Sequence, residues 1–546
     1  MIPASDKWKE LHNRLLLPEA FVRITYLATD PDVQPDLTST SSDEEYYSDT
    51  NSLVNELDKN CLYYSTLEDG CLMLDGSENY ISELNAQSTT DYGATGYVSD
   101  SVCGDDCLFE NNPTIEVMMS KVHVNLIQGL TLTWSKTYNE FPVKYNITVW
   151  NDSEVVASEE VTDNKDIKNV ILLDFVDFNR ITIEIKEWCL PNKRARMEEI
   201  LVGVEYTFEK DSIMAFTHTS TCDILGGKLP KNEIEFKLDN TKLNWDFNNL
   251  EGLNKYLLLR QELNVWYGYE LIDNDPSSVE WIKNGTYYMN EWKMPNGVSV
   301  TFKARDLLEF MNEEYKGITS GTLYNICIAA LEQANLPRNG DGSVKWFVSE
   351  TLKNYETDFT SSSTSTTKNQ TIAQVLQLCS NAGMCVIYQD YKGTIRIEPQ
   401  YLRLENYSIS NFLQYDYPEV TANKILKDVS VNKGLGYCEV NESGETQTVS
   451  NKLVLNESHA KELAEWVAKS LKYRYTFKGS YRTDPRVEVT DLVDVQARFN
   501  KHYAVAITKI KETYNGAFKG EYEGRMYDFK PIEASYSGIL YSGELW

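Results

Sequence analysis

The chain runs to 546 residues, too long for one hydrophobic core, and at about 100 to 200 residues per domain it predicts three to five domains. Its 82 acidic and 52 basic side chains leave a formal charge of −30, which argues against sequence-specific binding to a phosphate backbone. With 42% hydrophobic residues, 12% aromatics and 35 tyrosines it can bury cores, and this weighting favours pleated sheets over helical bundles.

Ser5 is placed to cap a short helix whose apolar residues Trp8, Leu11, Leu15 and Leu16 recur at helical spacing, with Pro18 ending it. Phe21-Val22-Arg23-Ile24-Thr25-Tyr26-Leu27 then alternates like a strand. Residues 30 to 50, with Asp43-Glu44-Glu45, read as an exposed acidic loop. From about 60 to 205, short alternating runs predict a β-sandwich: Gly129 to Trp134, Tyr145 to Trp150 and Arg180 to Ile185 are examples.

From about 206 to 315 a second β-rich region follows. Ile234, Phe236 and Leu238 alternate with charged residues, and Asp239-Asn240 closes the run with turn chemistry. Leu263 to Tyr267 and Gly285 to Met289 read as strands. Met294-Pro295-Asn296-Gly297 reads as a hairpin into Val298 to Phe302, Asn-Gly being the favoured two-residue turn.

Between about 316 and 400 the pattern is mixed. Leu323, Ile326, Cys327, Ala330, Leu331 and Ala334 line one helix face, and Thr371 with Gln374 forms a capping box for a second helix ending at Gly383. Met384 to Tyr388 and Thr394 to Ile397 predict a hairpin. The Ser/Thr run 361 to 367 is a low-complexity loop. In the last region, 401 to 546, Ala460, Leu463, Ala464, Val467 and Leu471 make the stripe of one amphipathic helix, followed by strands such as Val505 to Ile510.

No stretch of about 18 apolar residues predicts a membrane-spanning helix, and Met1-Ile2-Pro3-Ala4-Ser5-Asp6 lacks a signal-peptide pattern. The ten cysteines are therefore expected to fold in a reducing compartment, where structural disulfides are rare. Triplets such as Asn146-Ile147-Thr148 read as chance matches to a glycosylation signal. The acidity reads as solvating a large surface, or more sharply as an acidic lumen that lets a polyanion pass.

Catalytic constellations do not emerge. The five histidines, His12, His123, His218, His459 and His502, are scattered, with no His-Glu-x-x-His helix. Phosphate-binding glycine loops and the Gly-x-Ser-x-Gly elbow are missing from the sequence. Cys103-Gly104-Asp105-Asp106-Cys107 could supply two of four zinc ligands, but Cys61 and Cys71 do not form a recognisable second pair. Asn339-Gly340-Asp341-Gly342 reads as a tight turn and not a calcium loop. Glu44-Glu45 could serve a glycosidase only if two carboxylates faced each other about 5 to 10 Å apart. Trp134 and Trp150 could stack on a sugar, although strand tryptophans more often fill a core. We therefore assign no catalytic, cofactor-binding or metal residue and expect no enzyme.

Four stretches carry a family likeness. They are Leu229 to Asn240 with Trp245 to Asn248 and then Tyr256-Leu257 and Gln261 to Leu263; Gly285 to Met289 with Phe302 to Leu308; Ala464 to Val467 with Gly479 to Arg486; and Tyr514 to Gly524. In this order they resemble the tail-hub or baseplate-hub proteins of tailed phages and prophages, over roughly 20 to 45 and 206 to 535. Tyr64 to Glu68 and Leu72 to Ser77 resemble the start of a galactose-binding-like (discoidin-type) sandwich.

The resemblance implies a β-rich, multidomain α+β chain with two related hub β-barrels, an inserted β-sandwich and a small mixed α/β domain. Its expected divisions are 1–59 (N-terminal helix and first barrel strand), 60–205 (inserted sandwich), 206–315 (rest of barrel 1), 316–400 (mixed α/β) and 401–546 (barrel 2 with one helix). It further implies a homotrimeric ring in the tail tip of a virion, made in the host cytoplasm. Its partners would be the tail tube, the distal tail protein, the tape-measure protein and spike or fibre proteins. The alternatives are a carbohydrate-binding adhesin acting through a glycan site in 60–205, and a tail-associated peptidoglycan hydrolase.

Overall fold

A computed structural model describes residues 1–14, 19–41, 50–55, 64–67, 70–73, 80–82, 96–242, 245, 253–272, 275, 278–337, 343–358, 370–400 and 404–527. Leu15 to Pro18, Asp43 to Glu45, Leu74 to Ser77, Asp246 to Asn248, the turn at 339 to 342 and the Ser/Thr run 361 to 367 lie outside these residues. The chain is a β-rich, multidomain α+β protein built on several sheets.

One sheet of thirteen strands forms its spine. Its first half runs, in order, through Val204–Phe208, Ala20–Ala28, Glu262–Glu270, Val279–Asn296, Ser299–Arg305, Glu233–Asp239 and Ile213–Thr221. The alternation read in Ile234, Phe236 and Leu238 puts all three on the buried face beside Val22, Ile24, Tyr26, Val265 and Phe302. This half is rolled. Phe208 and Phe236 stand five strand steps apart, about 24 Å if the sheet were flat, yet their ring centroids are 6.2 Å apart. The helix Asp6–His12, capped by the Ser5 hydroxyl, adds the fully buried Trp8 to this core. It ends at Asn13, sooner than expected.

Ile213–Thr221 passes the sheet on to Lys501–Tyr514, which leads to Phe518–Met526, Tyr475–Tyr481 and Glu419–Ala422. Leu492–Ala497 and Leu404–Ile409 branch from the other edge of Lys501–Tyr514. This half closes on itself: beyond Leu404–Ile409, the Tyr415 amide donates to Ser480 (3.0 Å) and the Arg482 amide to Leu413 (2.7 Å). Tyr407, Ile409, Phe477, Tyr481, Val493, Val505, Ile507 and Tyr522 fill it.

All of the sandwich lies in the connection between Ala28 and Val204, which are register partners on neighbouring strands. Leaving and re-entering at one rung keeps the closure cost of such an insertion small. Gly203 makes the return possible, because a Cβ there would lie 2.6 Å from that of Thr29. A five-stranded and a four-stranded sheet enclose Trp134, Tyr145, Ile147, Ile183 and Trp188. The expected division at 59/60 and the loop expected over 30 to 50 need correction. Leu37–Ser41 is an edge strand paired with Thr114–His123, and the helix Asn51–Asn55 adds Leu53 and Val54 to the core.

Two further expectations shift. The hairpin after Val279–Asn296 turns on Gly297 and Val298, with Asn296 opposite Ser299, one residue later than the Asn-Gly reading. The Asn240 amide holds the Val298 carbonyl at 2.9 Å there. The helix Glu457–Leu471, expected with barrel 2, packs its stripe into the mixed domain instead. Ala460, Leu463, Ala464 and Val467 share a core with Leu323, Ile326, Leu331, Leu376 and Cys379. The strand Gly436–Glu439 approaches so closely that a Cβ on Gly436 would sit 2.2 Å from the Ala460 backbone. The capping box at Thr371 and Gln374 forms on the helix Ile372–Ala382.

Candidate functional site

The strand Ile213–Thr221 is shared by both halves, pairing with Glu233–Asp239 on one side and Lys501–Tyr514 on the other. Phe216, His218 and Ser220 alternate onto one of its faces. His218 lies opposite Glu512 in the register, and its Nδ1 is 2.9 Å from Glu512 Oε2. The Tyr267 hydroxyl donates to the same oxygen at 2.9 Å. On the other ring nitrogen, Nε2 meets Ser220 Oγ at 2.9 Å and the Tyr287 hydroxyl. His218 and Glu512 are both buried. Burial, reinforced by the Glu512 charge, pushes the Tyr267 hydroxyl far above its ordinary range, so it remains a donor.

Ser220, His218 and Glu512 thus stand in the hydroxyl–imidazole–carboxylate order of a hydrolytic relay. Here, however, Tyr287 shares Nε2, and the carboxylate is also held by Tyr267. An Nδ1–H tautomer accepting at Nε2 satisfies these contacts, and the group acts as a bolt across the seam between the two halves.

Two more buried polar ties fix neighbouring parts. Asp484 and Arg486 form a bidentate pair (2.9 and 2.5 Å), with the guanidinium 5.0 Å from the Trp8 ring and His12 Nε2 3.7 Å from Asp484. The Ile2 amide donates to Arg486 at 2.8 Å, so the N-terminal segment clips the first half to the second. Burial drives the His12 pKa down, against the pull of the Asp484 charge. Lys345 of the mixed domain reaches Glu262 Oε2 at 2.7 Å and the Tyr288 hydroxyl at 3.1 Å. Burial opposes the Glu262 charge, but Lys345 and Lys283 outweigh it and hold the carboxyl at about 2.

The residues singled out in the sequence take other roles. Cys103 is buried, its thiol 3.2 Å from the Leu190 carbonyl and accepting from the Lys193 amide, while Cys107 occupies a left-handed turn with φ 66°. Among the described residues no three His, Cys, Asp or Glu side chains gather as a metal would require. Cys61 and Glu44-Glu45 lie outside the described residues. Trp134 is fully buried against Tyr145 and Trp188. Trp150 lies under the Arg180 guanidinium and donates to Thr182, so this ring face is covered. Of the histidines, His12, His123, His218 and His459 are buried in separate places and His502 is exposed. Sequence spacing missed the bolt because 294 residues separate His218 from Glu512; the visible signal was a histidine two residues after Phe216 on an alternating strand.

No family model matches the chain, and no curated protein is similar to it in sequence. Similar solved structures include a 43 kDa tail protein of prophage MuSo2 from Shewanella oneidensis, at 12% identity and a TM-score of 0.39, covering 59% of this chain and 94% of that one. A tail protein from Neisseria meningitidis matches at 9% identity and a TM-score of 0.39, covering 59% and 93%. A prophage tail protein from Listeria monocytogenes matches at 12% identity and 0.35, covering 59% and 91%.

Proposed function

We propose that this chain is a structural subunit of a phage-type tail tip, a hub that works by assembling with partners. The observation that carries this reading is the bolted double unit: two rolled sheet halves joined into one continuous sheet through Ile213–Thr221 and Lys501–Tyr514. A chain that presents two such units in fixed mutual orientation lets three copies meet a six-fold partner such as a tail tube. The order of the resembling stretches supports it too, since Leu229 to Asn240, Phe302 to Leu308, Gly479 to Arg486 and Tyr514 to Gly524 all fall on or beside these strands.

In this role three copies close a ring in the virion tail. One face meets the tube and distal tail protein, the other the spike or fibre, with the tape-measure protein inside. The sandwich decorates the rim. Native mass by light scattering across a concentration series tests the ring: a species near three times the 62.6 kDa chain mass is expected. A chain that stays monomeric alone and with tail components overturns the reading.

A further inference from the structure

The turn between Leu492–Ala497 and Lys501–Tyr514 is a short finger, Arg498-Phe499-Asn500. Phe499 is 90% exposed and holds φ 60°, with Asn500 at 56°. A bulky residue rarely occupies this left-handed region, which suits Gly and Asn. The finger is ordered all the same: Gln496 donates to Asn500 at 2.5 Å, and the Arg498 guanidinium lies 5.8 Å from the Tyr417 ring. Arg498, Lys501 and His502 are exposed around it, His502 bonding Asp494, and Tyr417 extends the apolar surface. The tip thus carries an exposed aromatic ring with two flanking cations, Arg498 and Lys501, beside the acids Asp494 and Asp416.

A cleft of complementary character opens where the first half rolls up. It holds about 640 Å³, over a floor of Phe208, Leu238 and Trp245. Glu209, Asp211 and Asp239 stand on its rim with Lys242 as a cation. Arg23 engages Glu209, and Thr241 engages Asp239.

Finger and cleft lie towards opposite ends of one strand of the chain. Tyr514 pairs with Phe216, so the 209–212 turn lies beyond the Tyr514 end of the fourteen-residue strand Lys501–Tyr514, whereas the finger projects from its Lys501 end. The separation is roughly 45 Å along the strand. We propose that the Phe499 finger of one copy docks in the Glu209–Asp211–Asp239 cleft of a second copy of this chain. Such a contact joins unlike surfaces head to tail, the kind that closes into a ring when the rotation per subunit allows. Aromatic insertion supplies the anchor, and Arg498 and Lys501 meet the acidic rim. The proposal rests on the hub reading, which requires copies to meet.

The test compares the full chain with Phe499→Asp, with Arg498→Glu/Lys501→Glu, and with that pair combined with Asp211→Lys/Asp239→Lys, reading native mass against concentration. All these sites are exposed, and an unchanged thermal midpoint verifies the fold of each variant. Phe499→Asp is expected to raise the assembly midpoint by about tenfold or more. The cationic-to-acidic pair is expected to weaken assembly, and the combined charge swap to restore it. Wild type and Phe499→Asp assembling with the same midpoint overturns the finger while leaving the ring standing. A wild-type chain that never associates overturns both.

Discussion

His218 and Glu512 face each other across adjacent strands at 2.9 Å, and Glu512 carries a second bond from Tyr267 while its other oxygen finds no hydrogen-bond partner among the described residues. The pair spans the seam between the two halves, so its loss is expected to be felt as loosened coupling as well as lost stability. Glu512→Leu strands an imidazole and a phenol in a closed site and should cost about 2–4 kcal/mol in urea unfolding. His218→Phe should cost less. A double-mutant cycle between them should return a coupling energy of about 1–3 kcal/mol. Additive effects would show that the contact does not bind the seam.

Acidity offers a second check. Burial raises the Asp306 carboxyl to about 7, although the Asn232 amide, 3.2 Å away, favours its charged form. A carboxyl raised in the folded state binds protons that the unfolded chain has released. Its contribution is therefore full below about pH 4 and falls as pH rises to about 7. Asp306→Asn should flatten this part of the stability–pH curve, removing a fall of up to about 4 kcal/mol. An unchanged slope in the variant would assign the dependence elsewhere.

Glu262 runs the other way. Held at about 2 by Lys345 and Lys283 against burial, it contributes stability above about pH 4.5 that is lost as pH falls towards 2. Lys345→Met leaves this carboxylate without its nearest cation and should destabilise the protein at pH 7 by about 3–5 kcal/mol. Adding Glu262→Gln should recover much of the loss. Thermal unfolding of the two variants side by side measures the difference.

Gly436→Ala tests the packing of the mixed domain. The added methyl meets the Ala460 backbone, so the helix Glu457–Leu471 must shift away from its neighbours. We expect a loss of about 1–3 kcal/mol, and faster hydrogen exchange in that helix than in Lys501–Tyr514. Equal acceleration in both would show that the helix does not belong to a core of its own.

Much of the secondary structure was legible from local chemistry. The Ile234–Phe236–Leu238 alternation and the Thr371–Gln374 box state a face and a boundary directly. What was not legible is which surface each face meets. The Ala460–Val467 stripe announces an amphipathic helix, but nothing in its spacing distinguishes the barrel core from the Leu323–Cys379 core that receives it. Leu37 to Ser41 is a short, polar run whose strand character comes from pairing with Thr114–His123. The bolt is the extreme case, because its partners meet only once the whole spine has formed. Phe499 was passed over because an exposed aromatic in a turn has no periodicity to betray it.

The single rung at which the sandwich leaves and returns also decides how load reaches the spine. A pull on the sandwich arrives at Ala28 and Val204 together, at the end of their ladder. Force applied there peels hydrogen bonds one after another instead of shearing the whole row at once. Under tension the Ala20–Ala28/Val204–Phe208 pair would therefore open as a zipper, while the bolted seam, far along the sheet, stays shut.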